Sequence, residues 1–76
     1  MTFNIKINSS EDAQALNAIA TKYPGDIWIH GKQGTADAKS LLGLMLMSME
    51  REAKLVVDDE FDEKLVRKEF EKFIVD

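Results

Sequence analysis

The 76-residue chain predicts an α+β fold: a four-stranded antiparallel sheet with three helices on one face, in the order β-α-β-β-α-β-α. Segments with the two-residue alternation of strands take turns with segments of helical spacing. Several connections between them are too short for the crossovers that parallel strands need, which leaves antiparallel pairing and a sheet face open on the side away from the helices.

Residues 2–7, Thr-Phe-Asn-Ile-Lys-Ile, put Phe3, Ile5 and Ile7 on one side of a half-buried strand. Asn8, Ser9 and Ser10 then offer caps, and Ser9 followed three residues later by Asp12 resembles a capping box. Ala13, Leu16, Ile19 or Ala20, and Tyr23 recur at helical spacing, so a helix is expected at about 10–22, ended by Pro24-Gly25. Asp26 to His30 is the second strand, with Ile27 and Ile29 facing the core and Trp28 and His30 on the open face. The run from His30 to Gly34 is a turn, and Thr35 to Lys39 is a short edge strand.

Ser40 can cap the next helix, expected to run to about Met49. Six large apolar residues follow it: Leu41, Leu42, Leu44, Met45, Leu46 and Met47. A short helix cannot bury all of them on one face. Leu41, Leu44 and either Leu46 or Met47 can fill the core, which leaves Leu42 and Met45 on another side. An exposed apolar patch marks a docking site, so the stretch points to protein contact rather than chemistry. Ala53 to Asp58 is a β-branched, apolar strand. Asp59 with Asp62 caps a last helix whose stripe is Phe61, Leu65, Val66, Phe70, Phe73 and Ile74, with Glu60–Lys64 and Glu63–Arg67 as i,i+4 pairs on its solvated face.

Composition excludes several function classes. A net charge of −4 disfavours a nucleic-acid surface. The chain has no cysteine, and its single histidine, His30, rules out a multi-histidine metal site. No cofactor is implied. No apolar run approaches a membrane span and no signal-peptide pattern opens the chain, so a cytoplasmic protein without a membrane partner is expected. Residues 1–76 are expected to form a single domain. His30 reads as an exposed strand-end histidine, and Gly31 and Gly34 as turn formers rather than a phosphate cradle.

The element order, Gly31-Lys32, and Ala38-Lys39-Ser40-Leu41-Leu42-Gly43-Leu44-Met45 resemble HPr, the phosphocarrier of the bacterial sugar phosphotransferase system. The likeness is strongest over about residues 26–58. The Lys-Ser-Leu-Leu-Gly-Leu-Met run is similar to the regulatory-serine segment of Gram-positive members. The resemblance implies an HPr-like open-faced β-sandwich with four antiparallel strands and three helices on one side.

The resemblance also implies what this chain lacks. The family's activity needs a histidine at the start of the first helix, followed shortly by arginine and proline. Its imidazole nitrogen attacks a phosphoryl group while helix N–H groups and a cation hold the anion. Ungapped counting back from Ser40 puts Ser9 where that histidine belongs, and Glu11 and Asp12 where arginine and proline belong. Two carboxylates suit a helix N-terminus but repel an incoming phosphate. The chain is therefore expected not to carry phosphate on histidine and not to be an enzyme. Ser40 matches the regulatory serine that a dedicated kinase modifies. A capping role alone is the favoured reading there, because Glu11 replaces the arginine that lies near that phosphate in the family. Leu42 and Met45 match the apolar positions that members use to dock partners, and Gly43 would let a partner approach closely.

Three functional readings are open. The chain is similar to the catabolite-repression HPr homologues, non-catalytic proteins that bind partners of the phosphotransferase system or a carbon-regulation protein. Alternatively it is a structural or homo-oligomerising module that kept the fold only, or a phosphocarrier with an atypical acceptor.

Overall fold

The computed structural model describes residues 1–32, 34–47 and 52–75. The elements are β1 (Thr2–Ile5), α1 (Ser10–Ala20), β2 (Ile27–Gly31), β3 (Gly34–Asp37), α2 (Leu41–Met47), β4 (Ala53–Val57) and α3 (Glu63–Glu69), then a 3₁₀ turn over Glu71–Phe73. The sheet runs β1-β4-β2-β3, with every pair antiparallel. The α+β fold with helices over one face of an open sheet is therefore the observed one.

The alternation in the strands does what the period of two requires. Phe3, Ile5, Ile27, Ile29, Leu55 and Val57 are buried toward the helices, while Asn4, Trp28, His30 and Lys54 point the other way and are exposed. The core closes over them with Ala13, Leu16 and Ala20 of α1, Leu44 and Met47 of α2, and Val66, Phe70 and Phe73 of the last segment. Tyr23 joins it, edge-on to Phe61 and stacked on Phe70. Gly34 opens β3 at φ 152°, a conformation that glycine takes without strain.

β1 stops at Ile5, two residues short of the expected end, although Ile7 stays buried. The ladder of β1 with β4 ends there, because Ile5 faces Ala53, the first residue of β4. Lys6 N donates to Phe73 O at 2.9 Å, Ile74 bridges to Ile5, and Val75 N donates to Asn4 O at 2.8 Å. The outer edge of β1 is thus covered by the chain's own tail, which leaves fewer backbone groups unpaired there. α1 ends at Ala20 rather than near 22. Thr21 caps it, donating its backbone N–H to Asn17 O.

The last helix differs most from expectation. Asp62 alone caps it, its carboxylate accepting Lys64 N at 2.9 Å, whereas Asp59 pairs with the Met1 amine. Glu60 and Phe61 precede the helix, so Glu60–Lys64 is not a pair within it. The helix stops at Glu69 and the chain tightens into the 3₁₀ turn. The apolar stripe is therefore not one straight face. Val66, Phe70 and Phe73 are buried, but Leu65 is 52% exposed because the adjacent Val66 already takes the core position of that turn.

α2 begins one residue after Ser40, as expected, and is described to Met47. Its expected extension to Met49 lies outside the described residues.

Candidate functional site

Three places hold the residues singled out above: the start of α1, the outer side of α2, and the open sheet face. Ser9 is the N-cap of α1. Its hydroxyl accepts Asp12 N at 3.1 Å, which satisfies a backbone donor that the first turn would otherwise leave bare. The return half of the box is shifted by one residue. The Asp12 carboxylate accepts the N–H of Asn8 at 3.2 Å, not that of Ser9. The second Asp12 oxygen meets Lys72 Nζ at 3.3 Å, and the Asp12 side chain is only 15% exposed. A carboxylate of the protein thus sits at the positive end of α1, held by a backbone N–H and a lysine ammonium. Spacing anticipated Asp12, but Lys72 has no signal in sequence, since 60 residues separate the pair.

α2 is set against α1 by polar ties at its entry. Asn17 Nδ2 of α1 donates to Ala38 O at 3.2 Å, and Lys39 Nζ donates to Tyr23 O at 2.6 Å. Asp37 accepts Lys39 N at 2.9 Å, and Ser40 N donates to Asp37 O at 2.8 Å. These bonds aim the helix before its first turn. Ser40 is exposed and accepts Gly43 N at 3.3 Å, so it caps.

Leu44 and Met47 are buried, whereas Leu42 is 72% and Leu46 64% exposed, with Leu41 and Met45 also at the surface. Spacing expects Leu41 in the core, and the structure does not put it there. A seven-residue helix lying over the sheet buries the i,i+3 pair Leu44 and Met47, and Leu41 lies one turn earlier, at the exposed entry. The result is a continuous apolar surface of Leu41, Leu42, Met45 and Leu46 on a helix without a charged residue. Gly43 turns its Cα inward: a Cβ there would lie 3.3 Å from Ala36 Cβ and 3.5 Å from Ser40 Oγ. It lets α2 sit close on β3.

His30 lies on β2 between Thr35 and Lys54, on the side of the sheet opposite the helices. The structure therefore does not bring it to the start of α1. Trp28 stands two residues along on the same face, 40% exposed. A shallow concavity of about 550 Å³ opens at this end of the sheet, lined by Asn4, His30, Lys32, Glu52, Lys54 and Val75 among others.

A family model described as the PTS HPr component phosphorylation site matches residues 4–76. The chain belongs to the HPr family. HPr is a phosphocarrier rather than a catalyst, and it works with other proteins of the phosphotransferase system, so this HPr-family chain is phosphocarrier-like in class. No curated protein matches it. No helix among the described residues is long and apolar enough to cross a membrane, and they hold no cluster of histidine, cysteine or acidic side chains fit for a metal ion.

Proposed function

We propose that this HPr-family chain is a non-catalytic, cytoplasmic, single-domain protein that binds protein partners in the regulation of sugar uptake and does not pass phosphate through a histidine. The start of α1 carries this reading. Phosphoryl transfer there needs an imidazole nitrogen and a vacant anion position framed by N–H groups and a cation. Ser9 supplies a cap instead of a nitrogen, and the Asp12 carboxylate already occupies an N–H group and the Lys72 ammonium. Ser9 holds the position of the absent phosphoacceptor histidine.

The docking surface in this proposal is Leu42 and Met45, widened by Leu41 and Leu46, which the structure exposes beside them, while Gly43, expected to let a partner approach, faces Ala36 and supports the patch from beneath. Ser40 at its edge is the candidate site of regulatory phosphorylation, its hydroxyl exposed to a kinase. A phosphate there would add roughly −1.5 to −2 charges beside an uncharged apolar patch, a change that a partner would register.

The tests are direct. Incubation with phosphoenolpyruvate and the family's first enzyme should leave no acid-labile phosphate; labelled His30 would establish an atypical acceptor instead. Ser9→His alone should not restore transfer while Asp12 is in place. Mass spectrometry after the family's serine kinase and ATP decides the role of Ser40, phosphate there supporting regulation and none leaving it a helix cap, and Leu42→Ala with Met45→Ala should abolish capture of partners. An unmodified Ser40 together with no captured partner would favour the oligomerisation module.

A further inference from the structure

The open face of the sheet carries an order of its own. Its central row, read across the register, is Thr2, Val56, Trp28 and Asp37. Trp28 is exposed and Val56 half-buried, so an aromatic and a β-branched side chain occupy the middle. The next row toward the ends of β1 and β2 is Asn4, Lys54, His30 and Thr35. Lys6 and Lys32 lie beyond it, with Glu52 between their strands. Just beyond the strand ends the other way stand Asp58, after β4, and Asp26, before β2, both exposed, with the Asp58 carboxylate accepting Glu60 N at 2.9 Å. One end of the face is therefore mainly basic, the other acidic, with the apolar pair between.

We infer that this face is a self-association surface, on which a second copy of the chain lies across a two-fold axis running perpendicular to the strands through Trp28 and Val56. That axis reverses the strand direction, so it sets each row against the row on the far side of the centre. Lys54 comes over Asp58 of the second copy, His30 over Asp26, and Trp28 over Trp28. The acidic end of each copy is laid on the basic concavity of the other. An axis parallel to the strands would instead keep each row on itself, laying the basic end on the basic end and Asp58 over Asp26, and like-charge juxtaposition of that kind costs several kcal/mol. A two-fold contact uses the same patch twice, so each favourable pair occurs twice. Asp37 meets its own copy at the rim. There the twist of two packed sheets separates the edges, and its carboxylate already accepts Lys39 N.

The size of the face sets the strength. Four strands about 4.8 Å apart and four or five residues long present a few hundred Å², well under the roughly 800 Å² per partner of a stable interface. The pair is accordingly weak and concentration-dependent, and its electrostatic part weakens with salt.

Sedimentation equilibrium of the whole chain at low salt, up to about 1 mM protein as a weak interface requires, should show a monomer–dimer equilibrium. Emission of Trp28, the sole tryptophan, should shift to the blue over the same concentrations. Lys54→Glu and Asp58→Lys should each weaken association at least about tenfold, and the two together should restore it. Trp28→Ser should weaken it as well. Circular dichroism checks that each variant is folded. A monomer throughout the range overturns the inference. So does a double variant no better than either single one, which would exclude this axis. Association abolished by Leu42→Asp but untouched by Trp28→Ser would place the contact on α2 and overturn it too.

Discussion

Single residues here carry paired duties. Tyr23 stacks in the core, its hydroxyl meets Glu69 at 3.1 Å, and its carbonyl holds the Lys39 ammonium at the entry to α2. Burial first, then the hydrogen bond to Glu69 and the charge of that carboxylate, push the Tyr23 phenol from about 10 up to about 12. The fold favours the neutral phenol. Its contribution to stability is therefore fully present below pH 10 and is lost as pH rises through about 12. Ultraviolet titration should find this sole tyrosine ionising well above the ordinary range, and Tyr23→Phe should make stability less sensitive to strong alkali. Leu42 and Leu44 give a second residue-scale contrast. Leu44→Ala, at a fully buried site, should cost about 2–5 kcal/mol in urea unfolding. Leu42→Ala, at an exposed one, should stay within about 0.5 kcal/mol while removing partner binding.

At the scale of elements, α2 matters most, because it is short, uncharged and held by its neighbours rather than by helix propensity. Its entry is tied by Asn17, Asp37 and Tyr23, and its middle rests on β3 through Gly43 against Ala36. Gly43→Val would drive a branched side chain into Ala36 and lift the helix off the strand. The expected cost is about 1–3 kcal/mol, measured by denaturant unfolding, with loss of binding at the α2 surface. The docking patch therefore depends on close packing beneath it as well as on the side chains that face outward.

At the scale of the molecule, the tail closes the structure. The chain extends 29 × 24 × 20 Å, and a chain of this length is stable by only roughly 4–11 kcal/mol. Phe70 is fully buried at the break between α3 and the 3₁₀ turn. That break aims Phe73 into the core and Ile74 and Val75 along β1. Phe70→Ala should cost about 3–5 kcal/mol, a large part of the total. It should also release the tail, read as faster amide exchange at Lys6 and Val75. The same closure places Lys72 beside Asp12, so the chemistry at the start of α1 is decided by residues at the far end of the chain.

Periodicity and caps were enough, from sequence alone, to establish the α+β class, the order of the elements and which strand faces are buried. Each is a local property: Ile27 and Ile29 must share a face whatever surrounds them, and Ser9 must cap the helix that begins beside it. Helix spacing left Leu42 and Met45 off the core, and the family likeness pointed to the same two residues. Tertiary structure alone decided that Leu41 and Leu65 face solvent, that the last helix breaks at Phe70, that Gly43 serves packing against Ala36, and that Lys72 completes the Asp12 corner. These depend on which of several apolar faces a neighbour covers and on where a distant segment docks. Such choices are made by packing between elements, and spacing within one element does not encode them.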